Sequence, residues 1–116
     1  MPISQIDIAE LEKNDFIPQA IFNLEPEYFA ERFGFKFTSR EEHGLGNGQA
    51  AAFKLDSGEI FALARYQGHP TETTTVYISR DFHDEDQITG LVNCIRRELA
   101  VDRSELRWQR RDGPEL

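Results

Sequence analysis

Three strand-like stretches follow one another between residues 49 and 80, and a single amphipathic helix comes after them. The first two, 49–55 and 59–66, are joined by the short loop Asp56-Ser57-Gly58, which is typical of a β-hairpin. The third, 73–80, is rich in Thr, Val, Tyr and Ile, which favour strands. This order predicts an antiparallel meander with a helix laid across one face.

The middle stretch, 59–66, is apolar on both of its faces. Ile60, Ala62 and Ala64 alternate with Phe61 and Leu63. A strand that is apolar on both sides needs cover on both sides. We therefore expect this strand to lie in the centre of the sheet.

Residues 84–100 predict the longest helix. Asp84 and Gln87 have the spacing of a capping box, and Arg96 and Arg97 stand near the end, where the helix dipole favours cations. The apolar positions fall on one stripe at helical spacing: Ile88, Leu91, Val92, Ile95 and Leu99.

The first 24 residues form the segment that the pattern defines least. Ser4 is a candidate N-cap for a short helix that would end at Asn14-Asp15. Residues 16–22 are apolar, but Pro18 lacks a backbone donor, so they predict an edge strand or an extended segment.

A second short helix is predicted over 24–34, and a strand over 35–40 follows it. Pro26 suits the first turn of that helix, and Gly34 suits the position just past its end. With a closing strand at 106–110, the chain predicts an α+β fold. It would be one domain over 1–116, in which an antiparallel sheet of four or five strands carries the long helix on one face.

Charge and composition narrow the classes of partner. The net charge of −8 opposes nucleic-acid binding, which depends on basic side chains, and it favours a protein partner with a basic face. No signal peptide is visible, and the longest apolar run, 60–64, is far shorter than the roughly 20 residues of a membrane span. With Cys94 as the single cysteine, we expect a cytoplasmic protein that makes no membrane contact.

Two groups of residues could ligate a metal, but each has a simpler interpretation. The acidic run Asp81 to Asp86, with His83, has no EF-hand spacing and is explained by helix capping. His43, His69 and His83 all fall in predicted loops, where polar side chains are ordinary. We therefore predict no metal site.

No pattern of a catalytic site or a cofactor site is found. The run Gly44 to Gly48 lies between strands rather than before a helix, so it is not a phosphate loop and is read as a hairpin tip. Cys94 stands at the edge of the helix stripe, where a half-buried thiol is common. We predict no catalytic residues and no cofactor.

Six residues are candidates for a binding surface. If strand 59–66 pairs with strand 73–80, the loop that holds His69 lies at the end where Arg65 and Tyr66 emerge. In the C-terminal strand, alternation places Arg107 on the face opposite Trp108 and Arg110, and we expect Trp108 to help fill the core. The predicted binding residues are Arg65, Tyr66, His69, Tyr77, Arg107 and Arg110.

Three functions fit these observations. The first is a small, acidic, non-enzymatic protein-interaction module, such as a regulator or an inhibitor of the antitoxin or immunity type. The alternatives are a metal-dependent, hydrolase-like site that uses the loop histidines, and a small-ligand-binding domain. A homodimer is compatible with each.

Overall fold

The chain is described by a computed structural model that covers residues 3–13, 15–42, 46–66, 72–79 and 84–109. Its described residues form a seven-stranded antiparallel sheet and two α-helices. The strands are β1 Ile3–Ile6, β2 Phe16–Phe22, β3 Thr38–Glu42, β4 Gly46–Leu55, β5 Ile60–Tyr66, β6 Thr74–Ser79 and β7 Leu106–Gln109. The helices are α1 Pro26–Phe33 and α2 Glu85–Glu98, and 3₁₀ segments occupy Ile8–Lys13 and Arg103–Glu105.

The strands follow the order β1-β4-β5-β6-β2-β7, and β3 joins β4 on the same side as β1. The α+β class and the antiparallel sheet are therefore confirmed. The predicted number of four or five strands is wrong, because β1 was expected to be helical and β2 is a full member of the sheet.

The predicted meander is confirmed. β4, β5 and β6 are neighbours in that order, with Phe53 opposite Phe61 and Phe61 opposite Ile78. Gly58 closes the β4–β5 turn at a φ of 105°, a backbone angle that favours glycine. β5 lies inside the sheet, as its two apolar faces predicted.

One face of the sheet packs against both helices and holds the main hydrophobic core. Phe53 is central to it, since its ring centroid lies 4.6 Å from that of Phe35 and 5.3 Å from that of Phe61. The predicted stripe of α2 faces this core, and Ile88, Leu91, Val92, Ile95 and Leu99 are all buried in it.

The ends of the helices differ from the prediction in detail. The Oδ1 atom of Asp84 accepts a hydrogen bond from the backbone N–H of Asp86 at 2.9 Å, so Asp84 caps α2 as expected. α2 ends at Glu98, however, before the predicted limit of residue 100. α1 begins at Pro26, and Gly34 follows its end with a φ of 75°.

The N-terminal prediction of a helix capped by Ser4 is wrong. Ser4 pairs with Lys54 in the β1–β4 ladder. The capping residue is Asp7, whose Oδ1 accepts from the N–H of Ala9 at 2.9 Å and begins the 3₁₀ segment. A strand therefore precedes a shorter helical turn, and the turn crosses to the other face of the sheet.

The segment before β3 is fixed by side-chain contacts rather than by strand pairing. The rings of Phe33 and Phe35 stack with centroids 5.2 Å apart. The side-chain amide of Gln5 accepts from the backbone N–H of Lys36 at 3.0 Å and donates to its carbonyl at 2.6 Å. β3 consequently begins at Thr38 instead of residue 35, and its ladder with β4 reaches Gly46, inside the segment predicted as a loop.

β2 lies between β6 and β7, although Pro18 suggested an edge strand or an extended segment. In the described residues, β7 pairs only with Ala20, Ile21 and Phe22, so Pro18 lies beyond the part that β7 covers. The missing N–H of Pro18 is thus not needed on that side.

The second face of the sheet has a thinner cover. Leu11 of the 3₁₀ segment packs on Ala52 and Ala62, and Ile8 and Tyr77 border Ala50 and Ala64. This cover extends over β4 and β5. Neither described helix is long and apolar enough to cross a membrane.

Candidate binding groove on the second face of the sheet

A groove of about 470 Å³ lies on the second face, next to the area that the 3₁₀ segment covers. It spans β6, β2 and β7, and this volume falls within the range of roughly 300–1,000 Å³ that is usual for ligand sites. Its lining comes from Pro18 and Ile21 of β2, from Thr73, Thr75 and Tyr77 at and before β6, and from Arg107 and Trp108 of β7. We call this the β6–β7 groove.

The β6 side of the groove contributes polar side chains, and the neighbouring β2 side contributes apolar ones. Thr73 and Thr75 are 1% and 3% exposed, so their side chains are held in fixed positions. With Tyr77, they bring hydroxyl groups to a lining otherwise built from Pro18 and Ile21. Such an arrangement, apolar with a few placed polar groups, is typical of sites that orient what they bind.

The β7 side carries Trp108, which is 40% exposed and is the exposed large hydrophobic residue of the described chain. The prediction that Trp108 fills the core is therefore wrong. Leu106 packs against the helix-side core instead, opposite Phe22.

A bulge in β7 brings Arg107 to the same face as Trp108. Phe22 is opposite Leu106 and Ile21 is opposite Trp108, so Arg107 is the extra residue of the ladder. A bulge breaks the alternation of faces and redirects the side chain. The prediction that Arg107 and Trp108 lie on opposite faces is wrong for this reason, since both line the groove.

β2 has a second irregularity where it faces the groove. Pro18 is opposite Tyr77 and Ala20 is opposite Val76, which leaves Gln19 as the extra residue. Bulges increase the local twist of a strand pair. Two of them in adjacent ladders accompany the concave shape of this part of the sheet.

The predicted binding residues separate into two faces. Tyr77 and Arg107 line the groove, and Tyr66 lies beside it, with its ring edge-to-face on Tyr77 at a centroid distance of 6.1 Å and an interplanar angle of 85°. Arg65 points to the helix-covered face, where its Nη2 lies 3.6 Å from the Oε2 of Glu27. His69 and Arg110 lie outside the described residues.

The candidate metal ligands do not form a site in the part of the chain that the structure describes. No group of three or more His, Cys, Asp and Glu side chains there is close enough to hold an ion. Asp84 acts as the helix cap, and the exposed Glu85 and Asp86 follow it. Asp81 and the three histidines lie outside the described residues.

Cys94 is half-buried on α2, as predicted. It borders a small cavity of about 230 Å³ between α2 and the β4–β5 turn, lined also by Leu55, Asp56, Ser57 and Glu98. Two of these residues carry carboxylates, and carboxylates do not activate a thiol as a nucleophile.

Pro18 and Ile21 are groove residues that the sequence reasoning missed. A proline inside an apolar, strand-like stretch is a signal of a bulge or an edge, and it marks the point where β2 departs from regular pairing. Ile21 gave no such signal, because an isoleucine in a strand is ordinary.

Comparisons with known proteins give no relative for this chain: no family model, no curated protein and no solved structure matches it.

Proposed function

We propose that this protein is a small, non-enzymatic protein-interaction module that binds its partner through the β6–β7 groove. The observation that carries the proposal is the exposed Trp108 beside Arg107 on the last strand of the sheet. Tryptophan and arginine are enriched among the residues that dominate the binding energy of protein interfaces. An exposed tryptophan that rests against a concave, partly apolar surface has the form of such an anchor.

The net charge of −8 belongs to the molecule as a whole rather than to the groove. Exposed carboxylates such as those of Glu85 and Asp86 lie elsewhere on the molecule, on α2. Charge of one sign attracts a partner of the opposite sign and speeds its encounter. A partner with a basic face would be attracted by this charge over longer distances, while Trp108 anchors the segment of the partner that enters the groove. A regulator or inhibitor that covers a partner's site would act in this way.

The test is an affinity capture followed by binding measurements. It uses three forms of the protein: wild type, Trp108→Ala and Tyr28→Ala. Tyr28 is an aromatic residue on α1, over the opposite face of the sheet, and serves as the matched control. A protein captured by wild type is identified by mass spectrometry, purified, and titrated against all three by calorimetry.

We expect Trp108→Ala to weaken binding by about 30-fold or more, which corresponds to the roughly 2 kcal/mol of an interface hot spot. Tyr28→Ala should bind as wild type does. Equal affinities for wild type and Trp108→Ala would exclude the groove as the docking surface.

A second copy of the chain is the other protein partner to consider. Light scattering over a range of concentrations measures this directly, for wild type and for Trp108→Ala. A dimer that Trp108→Ala dissociates would make the partner another copy of this chain.

The volume of the groove favours a second candidate function, the binding of a small ligand. A thermal-shift screen of metabolites tests it, because a ligand that binds only the folded state raises the melting temperature. A hit should lose its effect in Trp108→Ala and keep it in Tyr28→Ala.

A further inference from the structure

Among the described residues that line the β6–β7 groove, Arg107 is the charged one, and none of them carries a carboxylate. Acidic residues outnumber basic ones by 21 to 13 in this chain. Even so, the structure gives Arg107 no ion pair within the described residues. The groove therefore presents a positive charge on a molecule that is acidic as a whole.

The position of Arg107 depends on the bulge rather than on regular strand alternation. In a regular ladder Arg107 would point to the face opposite Trp108, but the extra residue places both side chains along the groove. A planar guanidinium next to an indole offers two kinds of contact at once. It can bind a carboxylate through two parallel hydrogen bonds, while the indole packs on an apolar group.

The groove is also continuous with a strand edge. β7 is the terminal strand of the described sheet and pairs with β2 alone. An extended peptide can lie beside such an edge and place alternate side chains in an adjoining groove. A peptide segment is thus a better match to this surface than a compact ligand.

We propose that the β6–β7 groove binds a peptide segment of a partner protein in which an acidic side chain stands next to an aromatic one. The carboxylate pairs with the guanidinium of Arg107, and the aromatic ring packs on Trp108 and Ile21. The proposal rests on the proposed function and adds the chemistry of the segment that enters the groove.

The chain contains one tryptophan, so its fluorescence reports on this groove alone. The probes are two acetylated and amidated tripeptides, Phe-Asp-Phe and Phe-Asn-Phe, which differ only in a carboxylate against an amide. N-acetylphenylalanine serves as the third probe, a small carboxylate without a peptide segment.

We expect a saturable change in fluorescence with Phe-Asp-Phe and an affinity at least tenfold higher than that for Phe-Asn-Phe. Arg107→Gln should remove this preference, and Arg107→Lys should keep only part of it, because lysine retains the charge without the planar fork. Urea midpoints of both variants should equal that of wild type, since Arg107 is exposed and makes no ion pair with the residues that the structure describes.

Equal affinities for the two tripeptides, or no saturable response to either, would overturn the proposal. Binding of N-acetylphenylalanine as tight as that of Phe-Asp-Phe would replace the peptide with a small carboxylate. These outcomes differ from failure of the proposed function, which is measured by partner binding to Trp108→Ala. If the groove binds the partner but Arg107 plays no part, the two tripeptides bind equally and Trp108→Ala still loses the partner. The proposed function then stands and the peptide proposal does not.

Discussion

The two faces of the sheet are built from residues of different size and are covered to different depths. The helix-covered face carries Phe22, Phe53 and Phe61, each no more than 1% exposed. The second face carries alanines at the equivalent central positions, Ala52 and Ala62, under a single 3₁₀ segment. The same strands supply both, because successive residues of a strand point to opposite faces.

This difference shows how one sheet can provide both stability and a binding surface. Large rings on one side gain most of the buried apolar area. Small residues on the other side, Ala52 and Ala62, let the 3₁₀ segment lie close to the backbone through Leu11. The part of that face beyond the segment stays open as the β6–β7 groove.

Phe53→Ala should produce the largest loss of stability. Its ring is fully buried between Phe35 and Phe61, and removal leaves a cavity in the helix-side core. We expect the free energy of unfolding to fall by about 3–5 kcal/mol, measured by urea denaturation. Lys54→Ala, at the exposed neighbouring position, is the control and should change it by less than about 0.5 kcal/mol.

Ala62→Leu tests whether the second face is closed under the 3₁₀ segment. Ala62 is 2% exposed and packs beneath Leu11, so extra methyl groups have no room. We expect a loss of about 1–3 kcal/mol in the same assay. If Ala62→Leu costs no more than the exposed control Ala9→Leu, the segment can lift freely and the contrast between the two faces is weaker than described.

The smallest change in stability is expected from Ser104→Ala, in the turn that connects α2 to β7. The hydroxyl of Ser104 donates to Oδ2 of Asp102 at 2.5 Å, and this bond, with the backbone N–H of Ser104, holds the pKa of Asp102 below its ordinary value of 3.8. Ser104→Ala should therefore raise that pKa toward 3.8, which carboxyl chemical shifts in an NMR titration would show.

The sign of the pH dependence follows from the lowered pKa. A carboxyl whose pKa is depressed in the folded state adds stability above its unfolded pKa and loses it as pH falls through the folded value. Wild type should thus be slightly more stable than Ser104→Ala at pH 6, and the difference should vanish in strong acid. A difference that stays constant with pH would mean that Ser104 acts without Asp102.

Much of the helix-side architecture could be predicted from the sequence, because its signals are local and periodic. The stripe from Ile88 to Leu99 fixed the buried side of α2, and Pro26 and Gly34 marked α1. The double apolar pattern of 60–66 placed β5 inside the sheet. Each of these signals repeats within a few residues, so it does not depend on distant neighbours.

The groove could not be predicted, because it depends on pairing between distant segments. Alternation alone puts Arg107 and Trp108 on opposite faces, and only the register against Ile21 and Phe22 reveals the bulge that joins them. The prediction of a helix at the N-terminus was wrong for a similar reason. Ser4 has the chemistry of a helix cap, but the β4 ladder at Lys54 determines its conformation.

The position of β2 has a consequence for how the chain folds during synthesis. β2 leaves the ribosome early, yet Phe22 pairs with Thr74 on one side and with Leu106 on the other. Both edges of β2 therefore stay unpaired until most of the protein has been made. Pairings this distant slow folding, and an unpaired strand edge is a site for association with other chains. We therefore expect the yield of folded protein to rise when the chain is expressed at lower temperature or together with chaperones.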